Sequence, residues 1–294
     1  MLGFAVHRVV NDRGYAVVGA VRNAEKVRST WCADLEYTSD VDVEDFDSVL
    51  RAVQLSRADV VINATGEKDT RHTDEHVRRL FAVNSRFPRL MSAVAKSLGV
   101  HFIHFSSDGV FDGRRGMYDE GCRPDAADLY GLSKFLGEAP VDGTLVLRTS
   151  LLGRGLRPND SLLDWFLSQS GRVRGFRRVV FSGLPVNEIA HVLATKVLPR
   201  PKPLTGLFHL SANPISKYDL LALVRTAWAA QHVEVDADDT VVSDRSLDSS
   251  RLRGEISYEP PSWAELVASM RSFYSMTHAP AVTRSGGARS NSIP

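Results

Sequence analysis

Apolar positions along this chain follow two alternating rhythms. Leu2, Ala5, Val6, Val9 and Val10 recur at the spacing of one helix face and Gly14 supplies a stop, so residues 1–13 are predicted to open the chain as a helix. Runs rich in β-branched and aromatic residues follow at 15–21, 58–62, 100–105 and 144–147, with the length and composition of buried strands. Between them lie helix-period stretches at 44–55, 75–80, 89–98 and 129–138. Strand and helix alternate at crossover spacing, which predicts an α/β fold built on a doubly wound, parallel, Rossmann-like sheet.

Beyond Leu147 the alternation loosens. Stretches 162–169, 187–197, 217–230 and 263–274 read as helices and 206–210 as a short strand. The expected organisation is a main α/β domain over 1–150, a smaller substrate-side region over 151–278 with segments returning to the core, and a tail over 279–294. That tail has too little apolar content to pack and is expected to be disordered. Residues 199–203 read as a connector, and no internal repeat is evident.

Composition narrows the function classes. The 294 residues carry 36 basic against 35 acidic side chains and 43% apolar residues, which excludes a disordered or fibrous chain. A net charge of +1 supplies no field for a nucleic acid or an anionic bilayer, so neither is an expected partner. No apolar run reaches the roughly 18 residues that span a membrane, and the first residues lack a secretory pattern; the expected location is the cytoplasm. Cys32 and Cys122 are too few for a disulfide framework or a four-thiolate zinc site.

In an open parallel sheet, ligands bind beyond the carboxyl ends of the strands. One such end carries Ala64, Thr65 and Gly66, small enough for a ligand to approach the backbone, and another carries Ser106, Ser107 and Asp108. Either cluster alone reads first as an ordinary loop. Tyr130 and Lys134 lie four apart on a predicted helix whose core face is expected to be Leu129, Leu132 and Leu136, so phenol and ammonium project together. An ordinary phenol, with a pKa of about 10, handles protons poorly at neutral pH; lowering it by three units takes about 4 kcal/mol of preferential phenolate stabilisation. A neighbouring ammonium and a positively charged cofactor are the means.

Weaker constellations remain. His72 and His76 share a helical spacing but lack a third ligand, so no metal is expected. Asn159-Asp160-Ser161 matches a glycosylation sequon that a cytoplasmic chain would not use. Arg172, Arg174, Arg177 and Arg178 form either a clamp for a substrate diphosphate or a solvated basic face. Trp165, in an otherwise core-like run, is a candidate wall of a sugar site.

The segments VVINATG, HFIHFSSDGVFDG, DLYGLSKFLGE, LVLRTSLLG, FSGLPVNEIA and DRSLDSSRL resemble the extended short-chain dehydrogenase/reductases, and within them the dTDP-4-dehydrorhamnose reductase-like proteins, over nearly the whole chain to about Tyr274. The resemblance implies that Ser107 polarises a substrate carbonyl, Tyr130 is the acid–base residue, and Lys134 holds the cofactor ribose while depressing the phenol pKa. Asn84 resembles the family's asparagine that supports a proton-relay water, and Asp42 and Val43 its adenine-contacting pair. Arg22 stands where an acidic residue would read the ribose of NAD(H), and a guanidinium suits a 2′-phosphate, so NADP(H) is expected, with NAD(H) as the second choice.

Three departures from the family pattern carry information. Of the glycine-rich turn and the strand before it only Gly3 remains, which leads to the expectation of a start codon placed too far downstream; Gly153 and Gly155 do not replace the turn. Dehydratases of the superfamily have Thr-Asp-Glu where this chain has Ser107-Asp108-Gly109, and without the glutamate, elimination lacks its base. Leu151 follows Arg148-Thr149-Ser150 where rhamnose-pathway reductases often carry an aromatic residue. The implied activity is NADPH-dependent reduction of the 4-keto group of a nucleotide-linked 6-deoxy sugar, as in polysaccharide biosynthesis, with a homodimer as a candidate assembly. The alternatives are a non-catalytic, nucleotide-binding regulatory subunit resembling methionine adenosyltransferase β, and an NAD-dependent nucleotide-sugar 4-epimerase.

Overall fold

The structure is a computed structural model that describes residues 1–30, 34–68, 73–140, 142–155 and 161–277. Cys32, His72, Asn159, Asp160 and the 279–294 tail lie outside the described residues. The chain opens with α1 (Leu2–Asp12), β1 (Gly19–Ala20), α2 (Ala24–Thr30), β2 (Tyr37–Thr38), α3 (Phe46–Ser56) and β3 (Val60–Asn63). α4 (Asp74–Phe81) runs through a π turn at Ala82–Arg86 into α5 (Phe87–Ala95), followed by β4 (His101–Ser107), α6 (Leu129–Gly137) and β5 (Thr144–Thr149). Then come β6 (Leu151–Leu152), α7 (Leu162–Leu167), β7 (Gly171–Phe176), β8 (Val179–Phe181), β9 (Leu184–Pro185) and α8 (Val186–Val192). The chain closes with β10 (Gly206–His209), β11 (Ile215–Ser216), α9 (Lys217–Ala227), β12 (Val233–Asp238), β13 (Ser243–Asp244), α10 (Ser250–Ile256) and α11 (Trp263–Met276).

The central sheet has the order β10-β5-β4-β3, with every pair parallel. β4 and β5 are buried along their whole length because helices cover both faces. On one face Ile103 and Phe105 join Leu2 and Val6 of α1 and Ile189 and Val192 of α8; on the other Phe102 meets Val49 and Val53 of α3 and Phe87 and Met91 of α5. The sheet is therefore parallel and doubly wound, as the pattern predicts.

Two expectations are corrected. Of the predicted strand at 15–21 only Gly19–Ala20 forms, and it pairs with β2 in a ladder separate from the central sheet. Tyr15 and Val17 are partly buried while Ala16 and Val18 are exposed, so one face alone is covered. The second correction concerns α6, where Leu132 and Leu136 are 41% and 42% exposed. The helix instead turns Gly131, Ser133, Lys134 and Gly137 inward. A Cβ on Gly131 would overlap the Gly109 carbonyl, and one on Gly137 the Asn84 carbonyl, so two glycines bring the helix close enough to deliver its polar residues to the end of β4.

A small sheet completes the site end, with β8 flanked by antiparallel β11 and parallel β13. It is pressed onto the carboxyl end of β5 at Gly183, where a Cβ would overlap the Ser150 carbonyl oxygen.

Candidate active site

β4 ends in Ser107, whose hydroxyl accepts from Gly109 N–H (3.0 Å) and donates to Asp108 Oδ1 (3.2 Å). α6 begins immediately opposite, capped by Asp128, which accepts from Gly131 N–H at 2.7 Å. This start places the Tyr130 ring beside Gly109: a Cβ on Gly109 would lie 3.1 Å from both Tyr130 Cε1 and Ser107 Oγ. A side chain there would need the tyrosine ring and the serine to shift by a few tenths of an ångström, so Gly109 lets the two approach closely.

Burial, with Asp108 and Asp128 nearby, pushes the Tyr130 phenol up from its ordinary pKa, against the pull of Ser107 and Arg245. The phenolate stabilisation implied by the family resemblance is thus not supplied by the side chains alone. Lys134 is 5% exposed and donates to the Phe105 carbonyl at 2.7 Å. Burial lowers its pKa to about 8. Burial also raises the Asp108 pKa, partly offset by Ser107 and Arg245.

The loop after β3 is braced to the same helix. Thr65 donates through N–H and Oγ1 to Asn63 Oδ1 (3.0 and 2.6 Å), and the amide of Asn63 bonds His104 Nδ1 at 3.0 Å. Asn84, 1% exposed in the π turn, donates to Glu67 O and Ser133 Oγ and accepts from Glu67 N–H. Both donors of its side-chain amide are committed, so that group acts as a brace between the Ala64–Thr65–Gly66 loop and α6 and has none left for a relay water.

Gly3 sits in the first turn of α1, where a Cβ would touch Ala64 Cβ at 3.4 Å, so the helix start abuts the end of β3. Val41 N–H donates to the Val21 carbonyl, joining the segments after β1 and β2. Arg22 is therefore near Asp42 and Val43; it is exposed and makes no ion pair among the described residues. Asp42 receives Glu44 N–H at 3.0 Å, and Val43 packs against the α3–α5 core.

The basic cluster of β7 is engaged elsewhere. Arg172 pairs with Asp236 at 2.7 Å and Arg174 with Asp238 at 3.3 Å, both on β12, and Arg177 with Asp239 just past it. The candidate substrate residue Arg174 is thus held by an acidic partner on an exposed ladder. Trp165 lies on α7, partly buried against the main core. Sequence reasoning missed Lys217 and Arg245, which both act electrostatically on Asp108 or its surroundings. Arg245 lies within DRSLDSSRL and could have been found there; Lys217 only opens a helix-period run.

The chain matches the RmlD substrate binding domain family over residues 1–270. It belongs to that family. It is 33% identical over 157 residues to the probable low-salt glycan biosynthesis reductase Agl14 of Haloferax volcanii, across 52% of this chain and 50% of that protein. It thus spans about half the length of that relative. It is 26% identical over 242 residues to methionine adenosyltransferase 2 subunit beta of Danio rerio, across 78% of this chain and 71% of that one. The fold is that of the dTDP-4-dehydrorhamnose reductase of Bacillus anthracis, solved in complex with NADP: TM-score 0.68, 17% identity, 86% of this chain and 97% of that one. Among the described residues no helix is long and apolar enough to cross a membrane, and no group of three metal-ligating side chains occurs.

Proposed function

We propose that the protein reduces the keto group of a nucleotide-linked 6-deoxy sugar with NADPH. The observation that carries this reading is the meeting of Ser107, Tyr130 and a buried Lys134 at the carboxyl end of β4, beside a glycine where a dehydratase carries a glutamate. Outside the glycine-rich turn, the residues fit a nicotinamide dinucleotide. The first turn of α1 abuts Ala64 at Gly3, Thr65 and Gly66 border the ribose side, and Asp42 and Val43 lie beside an exposed Arg22 that suits a 2′-phosphate. When bound, the cofactor supplies a hydride to the carbonyl carbon.

The side chains handle the oxygen. Tyr130 gives its proton to the oxygen as the C–O double bond opens, and Ser107 donates a hydrogen bond that holds that oxygen in place. The Ser107 proton now directed at Asp108 must turn to the substrate for this. Lys134, through its remaining N–H groups, would contact the ribose and lower the phenol pKa. Residues 151–277 would provide the sugar-nucleotide side of the site.

The test is oxidation of NADPH by the chain with a dTDP-4-keto-6-deoxy sugar, followed at 340 nm as a function of cofactor type (about 340 nm being the dihydronicotinamide band). Turnover with NADPH exceeding that with NADH, and loss of this preference in Arg22→Ala, is the expected result. The likeness to methionine adenosyltransferase 2 subunit beta over most of the chain favours a second reading, a regulatory subunit. On that reading no keto sugar is reduced and Tyr130→Phe has no functional effect.

A further inference from the structure

His104 is a polar side chain in the middle of the buried sheet. It lies on β4, 1% exposed, and its ring stacks on Phe102 with centroids 6.2 Å apart and planes 12° from parallel. β3 runs beside it in the register Asn63↔His104, so the last residue of β3 is its direct neighbour, and Asn63 is buried as well. From Asn63 the chain leaves the sheet into the Ala64–Thr65–Gly66 turn.

The hydrogen bonds here fix the position of each proton. The Thr65 backbone N–H can only donate, and it meets Asn63 at 3.0 Å, so the atom facing it is the amide oxygen, which also takes the Thr65 hydroxyl at 2.6 Å. The Asn63 nitrogen therefore faces His104, 3.0 Å from Nδ1. An NH2 group can only donate, so Nδ1 carries the lone pair. Burial, with the Lys134 ammonium nearby, holds the His104 pKa well below its ordinary value, and the single proton of the neutral ring is then on Nε2. That Nε2 is buried and has no hydrogen-bond partner among the described residues. A buried N–H without an acceptor is a cost that an apolar ring stacked on Phe102 would not carry. What the imidazole supplies and an apolar ring does not is the acceptor at Nδ1.

We propose that His104 is a positioning residue for the cofactor-side turn: its Nδ1 orients the Asn63 amide, whose oxygen then clamps Thr65 and sets the 64–66 backbone. The far end of the turn is fixed separately by Asn84, which bonds both Glu67 N–H and Glu67 O. The near end has the Asn63 clamp. Without Nδ1 the amide is free to rotate and present its NH2 to the Thr65 N–H, a donor against a donor. The place of a dinucleotide against this turn rests on the function proposed above; the clamp itself does not. His104 acts through Asn63, outside the proton transfer.

The test uses the shapes of three replacements. His104→Asn keeps an acceptor where Nδ1 stands and loses the ring, His104→Phe keeps the ring and loses the acceptor, and His104→Gln places its amide nearer the Nε2 position. In the cofactor-free chain, amide exchange at Thr65, referred to β5, is expected to rise about tenfold in His104→Phe and His104→Gln and to stay within about threefold in His104→Asn. NADPH affinity, measured by calorimetry, should fall in the same order and by about the same factors, whereas adenosine 2′,5′-bisphosphate, confined to the Arg22 side, should bind all four chains within about twofold. A role in packing alone predicts the reverse order, with His104→Phe nearest the parent. That order, equal exchange in the three variants, or equal weakening of NADPH and the bisphosphate overturns the proposal. A parent chain whose exchange follows the clamp but which binds no NADPH would overturn the dinucleotide reading and leave the clamp standing.

Discussion

Lys134 carries a positive charge that burial has made easy to remove, and this sets a pH signature on cofactor binding. Its folded pKa, about 8, is below the ordinary 10.5, so in the cofactor-free protein the ammonium is half lost at that pH. Phosphates and ribose oxygens favour the protonated lysine, so binding takes up a proton above pH 8. NADPH affinity should accordingly fall as pH rises through about 8, and calorimetry in buffers of different ionisation heat should register the proton uptake. In Lys134→Met the affinity should be weaker but flat over the same range; a parent chain with flat affinity from pH 7 to 9 would remove the lysine from the cofactor site. Tyr130→Phe isolates the other half of the chemistry. Removing only the transferable proton should lower turnover by about a hundredfold or more while leaving NADPH binding within twofold, measured by single-turnover kinetics and cofactor titration. The pair was legible because the phenol and ammonium recur four apart beside a strand ending in hydroxyls. Lys217 was not, because its electrostatic link to Asp108 joins residues far apart in the sequence, which spacing along a chain does not reveal.

At the scale of elements, α6 is held by its far end as much as by its capped start. Glu138, just past the helix, accepts from Arg148 Nε (2.8 Å) and Nη2 (2.7 Å) and from Ser106 Oγ (2.6 Å), and the two charged side chains are 5% and 2% exposed. Arg148 lies on β5 and over the Phe111 ring, so the pair ties the helix bearing Tyr130 to the sheet. Arg148→Met leaves a buried carboxylate without its cation and should cost about 3–5 kcal/mol in urea unfolding. Arg148→Met combined with Glu138→Leu should recover much of that loss, because the isolated buried charge is gone; if the double variant is as unstable as the single one, the ion pair is not what Arg148 supplies. The same network includes His209, whose pKa burial and Arg148 lower to about 4. The alternation of strands and helices was readable because buried parallel strands need continuous apolar runs. The inward face of α6 was not, since apolar periodicity assigns leucines to the core, whereas this helix places glycines and a buried lysine there.

Across the whole molecule the two halves of the proposed cofactor site stand on different ladders. Arg22 and Asp42 follow β1 and β2, which pair only with each other, whereas Thr65, Tyr130 and Lys134 belong to the β10-β5-β4-β3 sheet and the helix packed on it. β3 is its edge, with Val60, Val61 and Ile62 only partly buried, while β4 and β5 are buried throughout. A shared apolar cluster beneath both ladders includes Tyr37 of β2 and Val60 and Ile62 of β3, so packing rather than backbone pairing joins them. Local opening should follow this division, because edges with few buried contacts open at lower free energy than a central strand. Amide exchange is therefore expected to be slowest in β4 and β5, faster in β3, and faster still in β1 and β2. A dinucleotide spanning both ladders would bind the state in which they are held together and disfavour opening of either. Saturating NADPH should then slow exchange at Gly19–Thr38 and at Val60–Asn63 by more than it slows exchange in β5. If protection rises only around α6 and leaves β1 and β2 unchanged, the adenosine half of the cofactor does not rest on Arg22 and Asp42, and the proposed basis of NADPH preference fails with it.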